Sequence, residues 1–566
     1  MPQEMDRRDY NSVYGATTGD RVRLADTNLY VRVESDHSLP GSETITGFGR
    51  PVRDGMLIGH QPGPSKLDMI ITNVLLLDPA LGAIKTNIGI KDGRVVGVGR
   101  AGNPDVTENI DLVLSASTAM VTGDGMIATP GGVDSHVHLS STSLIPAALS
   151  SGLTTLVAQG SGGVWDLGVN PLNNMLHVFE AFEAIPINLA LLGRASSSKE
   201  HLEEHVEAGA AGLKIHEDVG AFHAVIDRAL QIADQTGVQV AIHTDGLNEA
   251  GALEETLSAI NGRSIHAYHV EGSGGGHAPN MLEIVNADNV IGSSTNPSLP
   301  YGINSVAEQF EMAFTVHRLH HHFETDVQAT RDRVRESTIA AEDVLHDLGA
   351  IAIMSSDSQG MGRIGEVVSR TWQLAHRMKE VRGGGFDPDT GEGDDNPRIL
   401  QYLAKYTLNP ALAHGLGSSV GSIEPGKLAD IVLWHPAFFG VKPQAVIKGG
   451  FVAWSPVGDG QGSTRSSQPL IYRPMFGGMG AAPAQLAVNF LSRQAVESGF
   501  PAGNHLRRSA VAIDDTRQTY KAAMRYNTTS PDVRVNPQTL EVTIDGSPVD
   551  IEPATSLPMT QRYFLA

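Results

Sequence analysis

The sequence predicts an α/β protein: a (β/α)8 barrel of TIM type, joined by a composite β-rich domain formed from N-terminal and C-terminal segments. Three observations carry this expectation. Apolar runs alternate with helical stretches between about 126 and 356, the pattern of repeated βαβ units. Short alternating segments fill 1–130, and β character returns over 421–480. Several of the apolar runs end in His, Lys or Asp, and a barrel carries its chemistry at the C-terminal edge of its strands.

Composition bounds the function. At 566 residues the chain exceeds one ordinary small domain and accommodates a large barrel with a companion. With 41% hydrophobic and 18% charged residues it has a globular balance and enough apolar material for a sizeable core. A formal net charge of −22 argues against nucleic acid or an anionic membrane as partner. Cysteine is absent, which excludes disulfides, thiolate metal sites and cysteine nucleophiles. Any metal must be held by nitrogen and oxygen donors, and 22 histidines are available. The first ten residues lack the apolar core of a signal peptide, and no run of about 18 apolar residues is present to span a membrane, so a cytoplasmic location is expected.

Taken in order, 29–33, 69–77 and 89–98 read as strands, the last with Asp92-Gly93 as a hairpin turn. Barrel strands are expected near 126–133, 153–158, 187–193, 211–215, 238–243, 264–269, 289–293 and 350–356, although the first run also suits the β-rich domain. Helical periodicity marks 202–210 and 221–236, and the Gly, Asp and Pro of 383–397 read as an exposed loop. Strands return at 428–434 and 445–450, with a helix expected near 484–498. The expected organisation is therefore 1–130 and 421–480 as the two parts of the β-rich domain, 131–420 as the barrel, and 481–566 as a segment packing on the barrel.

The strand ends hold the chemistry. In Gly131-Gly132-Val133-Asp134-Ser135-His136-Val137-His138-Leu139, alternation puts His136 and His138 on one strand face, a spacing that lets both reach one metal. Lys214 and His216 share a face at the end of 211–215; His243 ends 238–243; His266 and His269, followed by Glu271, end 264–269; Asp357 ends the last run. So many donors exceed what one tetrahedral catalytic site needs, whereas two metals about 3.5–4 Å apart need more ligands and a bridge. Lys214 is awkward as an ammonium beside two cations, and makes sense as a carbamate formed with CO2, whose two oxygens serve two metals. Alone it would read as a snorkelling lysine. Nitrogen and oxygen donors of this kind suit several divalent metals, zinc, manganese and iron among them.

At these residues the chain resembles urease alpha subunits. The resemblance covers nearly the whole length. It includes Gly19-Asp20-Arg21-Val22-Arg23-Leu24-Ala25-Asp26-Thr27, Ser293-Ser294-Thr295-Asn296-Pro297 and Thr338-Ile339-Ala340-Ala341-Glu342-Asp343. It continues through Ser355-Ser356-Asp357-Ser358-Gln359-Gly360-Met361-Gly362-Arg363, Tyr472-Arg473-Pro474-Met475-Phe476-Gly477 and the tail Gln561-Arg562-Tyr563-Phe564-Leu565. Position by position, it implies two Ni2+ per chain bridged by carbamylated Lys214, with His243 and His269 on one nickel and His136, His138 and Asp357 on the other. It also implies that His216 hydrogen-bonds the urea oxygen and that His317, on a mobile flap with Arg333 nearby, is the general acid. Urease beta and gamma subunits or their fusion, nickel-loading accessory proteins and a trimer-based oligomer follow as expected partners.

The chain departs from the family at four places. Val316 stands where most members have Cys, with Arg318 in place of a second His and the tract His320-His321-His322 read as an exposed polar run. The segment 158–174 is shorter and departs from the family's Gly-rich pattern. Gly360 replaces Ala beside the last ligand, which loosens the backbone, and Val219 replaces Trp. A cyclic-amide hydrolase of hydantoinase or dihydropyrimidinase type, and a catalytically silent urease paralogue serving assembly, are the alternative readings.

Overall fold

The structure, a computed structural model, describes residues 4–38, 41, 43–44, 52–60, 66–159, 173–216, 220–243, 253–272, 278–457 and 471–560. Eight parallel strands pair in sequence order: β1 (Gly132–His138), β2 (Leu153–Gln159), β3 (Asn188–Arg194), β4 (Gly212–Ile215), β5 (Gln239–His243), β6 (Ile265–Tyr268), β7 (Val290–Thr295) and β8 (Ile353–Ser355). They are buried almost throughout, as expected of a parallel sheet covered on both faces, and their runs are apolar for that reason. Leu213, Ile215, Val240, Ile242, Ile265 and Ala267 belong to one core cluster. Fully burying each of the Leu, Ile and Val side chains among them contributes roughly 1.5–3 kcal/mol. The barrel closes just beyond β8, where Asp357 N–H donates to the His136 carbonyl (2.8 Å) and His138 N–H to that of Ser358 (2.9 Å).

The expected first run, 126–133, belongs to two sheets. Ile127–Pro130 pairs antiparallel with Ile431–Trp434 and parallel with Met69–Asp78, and the chain then enters the barrel as β1. Gly131 and Gly132 make the crossing possible. A Cβ on Gly131 would lie 2.1 Å from Thr154 Oγ1, and one on Gly132 2.5 Å from Leu153 Cδ2.

The sheet beside the barrel runs Ile471–Pro474, Phe451–Val457, Pro443–Lys448, Ile431–Trp434, Ile127–Pro130, Met69–Asp78, Gly82–Lys91, Ser35–Asp36, so segments from both sides of the barrel share it. The Asp92-Gly93 hairpin is present, with positive φ at both residues (50° and 73°) as a two-residue turn of the favoured hand requires. A buried ion pair pins this sheet to the barrel: Lys448 Nζ donates to Asp430 (2.7 and 2.8 Å) and to Asn188 Oδ1 (2.6 Å) at the start of β3. Removing one partner of such a pair costs about 3–5 kcal/mol, because it strands the other charge.

The helix expected near 484–498 is interrupted. Ala482–Leu486 and Arg493–Glu497 are helical, but Val488–Leu491 between them is a strand, taking the free edge of the N-terminal half of β3. The helices Lys199–Glu207 and His223–Thr236 correspond to the two periodic stretches, and 383–395 is irregular and mostly exposed. Between β7 and β8 stand the helices Ser305–Val316, Glu324–Arg333 and Glu336–Leu348. Among the described residues no helix is long and apolar enough to cross a membrane.

Candidate metal centre

The C-terminal edges of five strands bring their side chains to one place. His136 and His138 come from β1, Lys214 from β4, His243 from the last position of β5, His269 from just after β6 and Asp357 from just beyond β8. All six are almost fully buried. Asp357 stands at the centre: its Oδ1 lies 3.3 Å from His136 Nε2 and 3.0 Å from His138 Nε2, and its Oδ2 lies 3.2 Å from His269 Nε2. The His243 ring is 4.5 Å from that of His269 and 5.7 Å from that of His136. Two donor groups could each hold an ion: His136, His243 and His269, and His136, His138 and Asp357, with the donor atoms of each within 4.8 Å of one another. His136 belongs to both.

Local backbone geometry aims these groups. His269 and Asp357 have φ of 49° and 55°, in the left-handed region where a residue other than glycine costs about 1 kcal/mol or more. Both are strand-end residues turned inward by that conformation. Gly360 leaves space beside them: on this backbone a Cβ there would lie 2.4 Å from Asp357 Oδ1 and 3.1 Å from His138 Cδ2. The glycine therefore gives the carboxylate room, which is more specific than loosening the backbone.

Lys214 Nζ sits 3.7 Å from the centre of the Tyr268 ring, a cation–π distance. His136 stacks on the same ring at 3.9 Å, and the Tyr268 hydroxyl donates to the Ser135 carbonyl across the barrel (2.6 Å). His216 follows β4, with its ring 4.8 Å from His243 and 5.4 Å from His138.

Electrostatics put these donors in ligating form. Burial pushes the Asp357 carboxyl up, but the charge of His136 and the neighbouring His138 and His269 overcome it and hold it well below the usual carboxylate range. Burial pushes His136 far below the usual imidazole value, against the opposing pull of the Asp357 carboxylate. Beneath them burial raises Asp134 to about 7, while its Oδ1 accepts from His136 N (3.2 Å) and Ser356 N (3.1 Å).

The residues fit a metal. Both ring nitrogens of His136 are buried without a hydrogen-bond partner among the described residues, an arrangement that costs free energy unless something coordinates them. His138 Nε2 faces two contradictory neighbours, Asp357 Oδ1, which needs a proton, and Gln159 Nε2 at 3.0 Å, which offers one. A cation between imidazole and carboxylate removes that conflict.

His317 caps the helix Ser305–Val316 and is half-buried, with Nδ1 2.9 Å from the Ala313 carbonyl. Nδ1 therefore carries a proton, which it donates to that carbonyl. Arg333 ends the helix Glu324–Arg333. Neither belongs to the two donor groups. The tract 320–322 is exposed, with His321 stacked on Phe314 at 4.0 Å and 3.4 Å from Glu311 Oε2. Most of the segment 158–174, Val219 and the tail 561–565 lie outside the described residues.

Sequence reasoning passed over Gln159 at the end of β2, Tyr268 on β6 and Thr295 at the end of β7, whose Oγ1 is 3.1 Å from His269 Nδ1. Each stands at a strand end, so the rule that found the histidines would have found them had it been applied to amides, phenols and hydroxyls.

Residues 127–465 match the Amidohydrolase family, and 3–121 match the urease alpha-subunit N-terminal domain. The chain is similar to urease subunit alpha of Natronomonas pharaonis, 48% identical over 100% of both chains. It is 48% identical to urease subunit alpha 1 of Streptomyces avermitilis over 98% of this chain and 99% of that one. Among solved structures it is similar to dihydropyrimidinase from Brevibacillus agri NCHU1002, at 14% identity and a TM-score of 0.49, over 68% of this chain and 94% of that one. With a strand-end cluster that could hold metal and full-length relatives of one kind, the chain belongs to the urease alpha-subunit family of the amidohydrolases.

Proposed function

We propose that the chain is the catalytic subunit of a urease, hydrolysing urea to ammonia and carbamate, which then decays to carbonic acid and a second ammonia. The convergence of six buried donors from five strand ends carries this reading, together with full-length similarity to urease alpha subunits. His243 and His269 would hold one Ni2+, His136, His138 and Asp357 the other, and carbamylated Lys214 would bridge them. When bound, such a pair polarises the urea carbonyl and activates water.

The chain's own residues supply the rest. His216 donates a hydrogen bond to the urea oxygen, its ring steadied against His243. His317, tied through Nδ1 to Ala313, delivers a proton from Nε2 to the leaving nitrogen, and the half-buried Arg333 guanidinium sets the charge around it. Buried walls exclude water and strengthen each of these interactions.

The same reading divides the chain at 130, 420 and 480, supported by the pairing of Ile127–Pro130 with Ile431–Trp434 outside the barrel. It places the subunit in the cytoplasm, in a trimer-based assembly with beta and gamma subunits or their fusion, loaded by nickel accessory proteins. The test is nickel content and ammonia release on protein co-produced with those subunits and accessory proteins. About two nickel per chain with urea turnover is expected. Nickel without turnover would mark a silent paralogue, and turnover of dihydrouracil but not urea a cyclic-amide hydrolase.

A further inference from the structure

Gln159 ends β2 beside the cluster, in the segment where the sequence leaves the family's Gly-rich pattern. It is 4% exposed. Its Nε2 donates to His138 Nε2 at 3.0 Å, and its Oε1 is buried with no hydrogen-bond partner among the described residues. A buried amide with one end engaged and the other unsatisfied is an unfavourable arrangement in a finished core. Beside a substrate pocket it is a receptor for an N–H donor.

The engaged end is also provisional. His138 Nε2 is the nitrogen that faces Asp357 Oδ1, so a metal held by those two residues takes the lone pair to which Gln159 now donates. Once that happens, the whole amide is left facing the site from β2, the strand next to β1. Urea and other amides are rich in N–H donors, whereas the imidazoles and carboxylate of the cluster are committed to metal. An uncommitted carbonyl oxygen is what the remaining side of such a substrate requires.

We infer that Gln159 is a further substrate-orienting residue of this site, whose Oε1 accepts an N–H of the amide substrate and whose Nε2 holds His138 only while no metal is bound. The inference rests on the amide-hydrolysing reading above. It makes the strand-two departure a change in how substrate is held.

Gln159→Met keeps the length and burial of the side chain without the amide, and Gln159→Gly removes the side chain altogether. Two measurements read them: urea kinetics of the nickel-loaded assembly, and nickel titration of the metal-free chain. Both variants are expected to raise KM for urea about five- to ten-fold, with kcat within about two-fold of the parent. Nickel affinity of the metal-free chain should be unchanged or tighter, because a competitor for His138 has gone. A KM within about two-fold of the parent overturns the inference. Weaker nickel binding also overturns it, since Gln159 would then be a metal ligand or a support. A parent that releases no ammonia from urea overturns the functional reading and this inference together, so the two failures are distinct.

Discussion

Asp357 donates its backbone N–H to the His136 carbonyl at 2.8 Å, while its Oδ1 stands 3.3 Å from the Nε2 of the same histidine. The bond that closes the barrel between β8 and β1 thus also fixes the carboxylate against the imidazole. Chemistry and closure share one residue. Asp357→Asn keeps the size and tolerates the left-handed backbone, but loses the anionic donor. The variant should fold, bind less than about one nickel per chain and lose more than about a hundred-fold in urea turnover, beyond what loss of a supporting residue costs. Melting curves, nickel analysis and kinetics check the three parts.

Lys214→Ala should abolish nickel binding and activity together. The side chain lies over the Tyr268 ring, on which His136 also stacks. Formate or another small carboxylate should restore part of the activity by filling the bridge position. A variant that kept full nickel would remove Lys214 from the bridge.

His317→Ala should leave nickel content unchanged and lower kcat by about 10²–10⁴, the usual worth of a positioned general acid. Its ring is held by the Ala313 carbonyl on its own helix and stands outside both donor groups, so the metals do not depend on it. A loss of nickel with the loss of kcat would make it structural.

Asp343 links stability to pH. Burial raises its pKa to about 8, even though the Tyr301 N–H donates to both its oxygens (3.0 and 3.2 Å). The folded state therefore binds a proton that the unfolded chain releases near 4, and this contribution is complete below about 4 and lost as pH rises to about 8. Stability should fall across that window by at most about 1.4 kcal/mol per pH unit from this group. Asp343→Asn, which accepts the same bond but does not ionise, should show a flatter decline in melting temperature between about pH 5 and about pH 8.

The histidines, Lys214 and Asp357 were legible because polar residues interrupt apolar runs at their ends, a signal that survives without any knowledge of tertiary contacts. The run 126–133 suits either sheet when read locally, since consecutive strands in different sheets are both apolar, and the close approach of Thr154 to Gly131 is what marks the crossing. The strand Val488–Leu491 was read as helix because its partner is β3, roughly 300 residues away, and local periodicity carries no trace of that pairing. Gln159 and Thr295 escaped for a related reason. An amide or hydroxyl at a strand end gains meaning only from the imidazole it faces.

The most direct test of the central claim is anomalous diffraction from the loaded assembly at the nickel edge. Two peaks about 3.5–4 Å apart are expected between His136, His138, His243, His269 and Asp357, with a carbamate on Lys214 between them. A single peak, or nickel bound away from these residues, would contradict it.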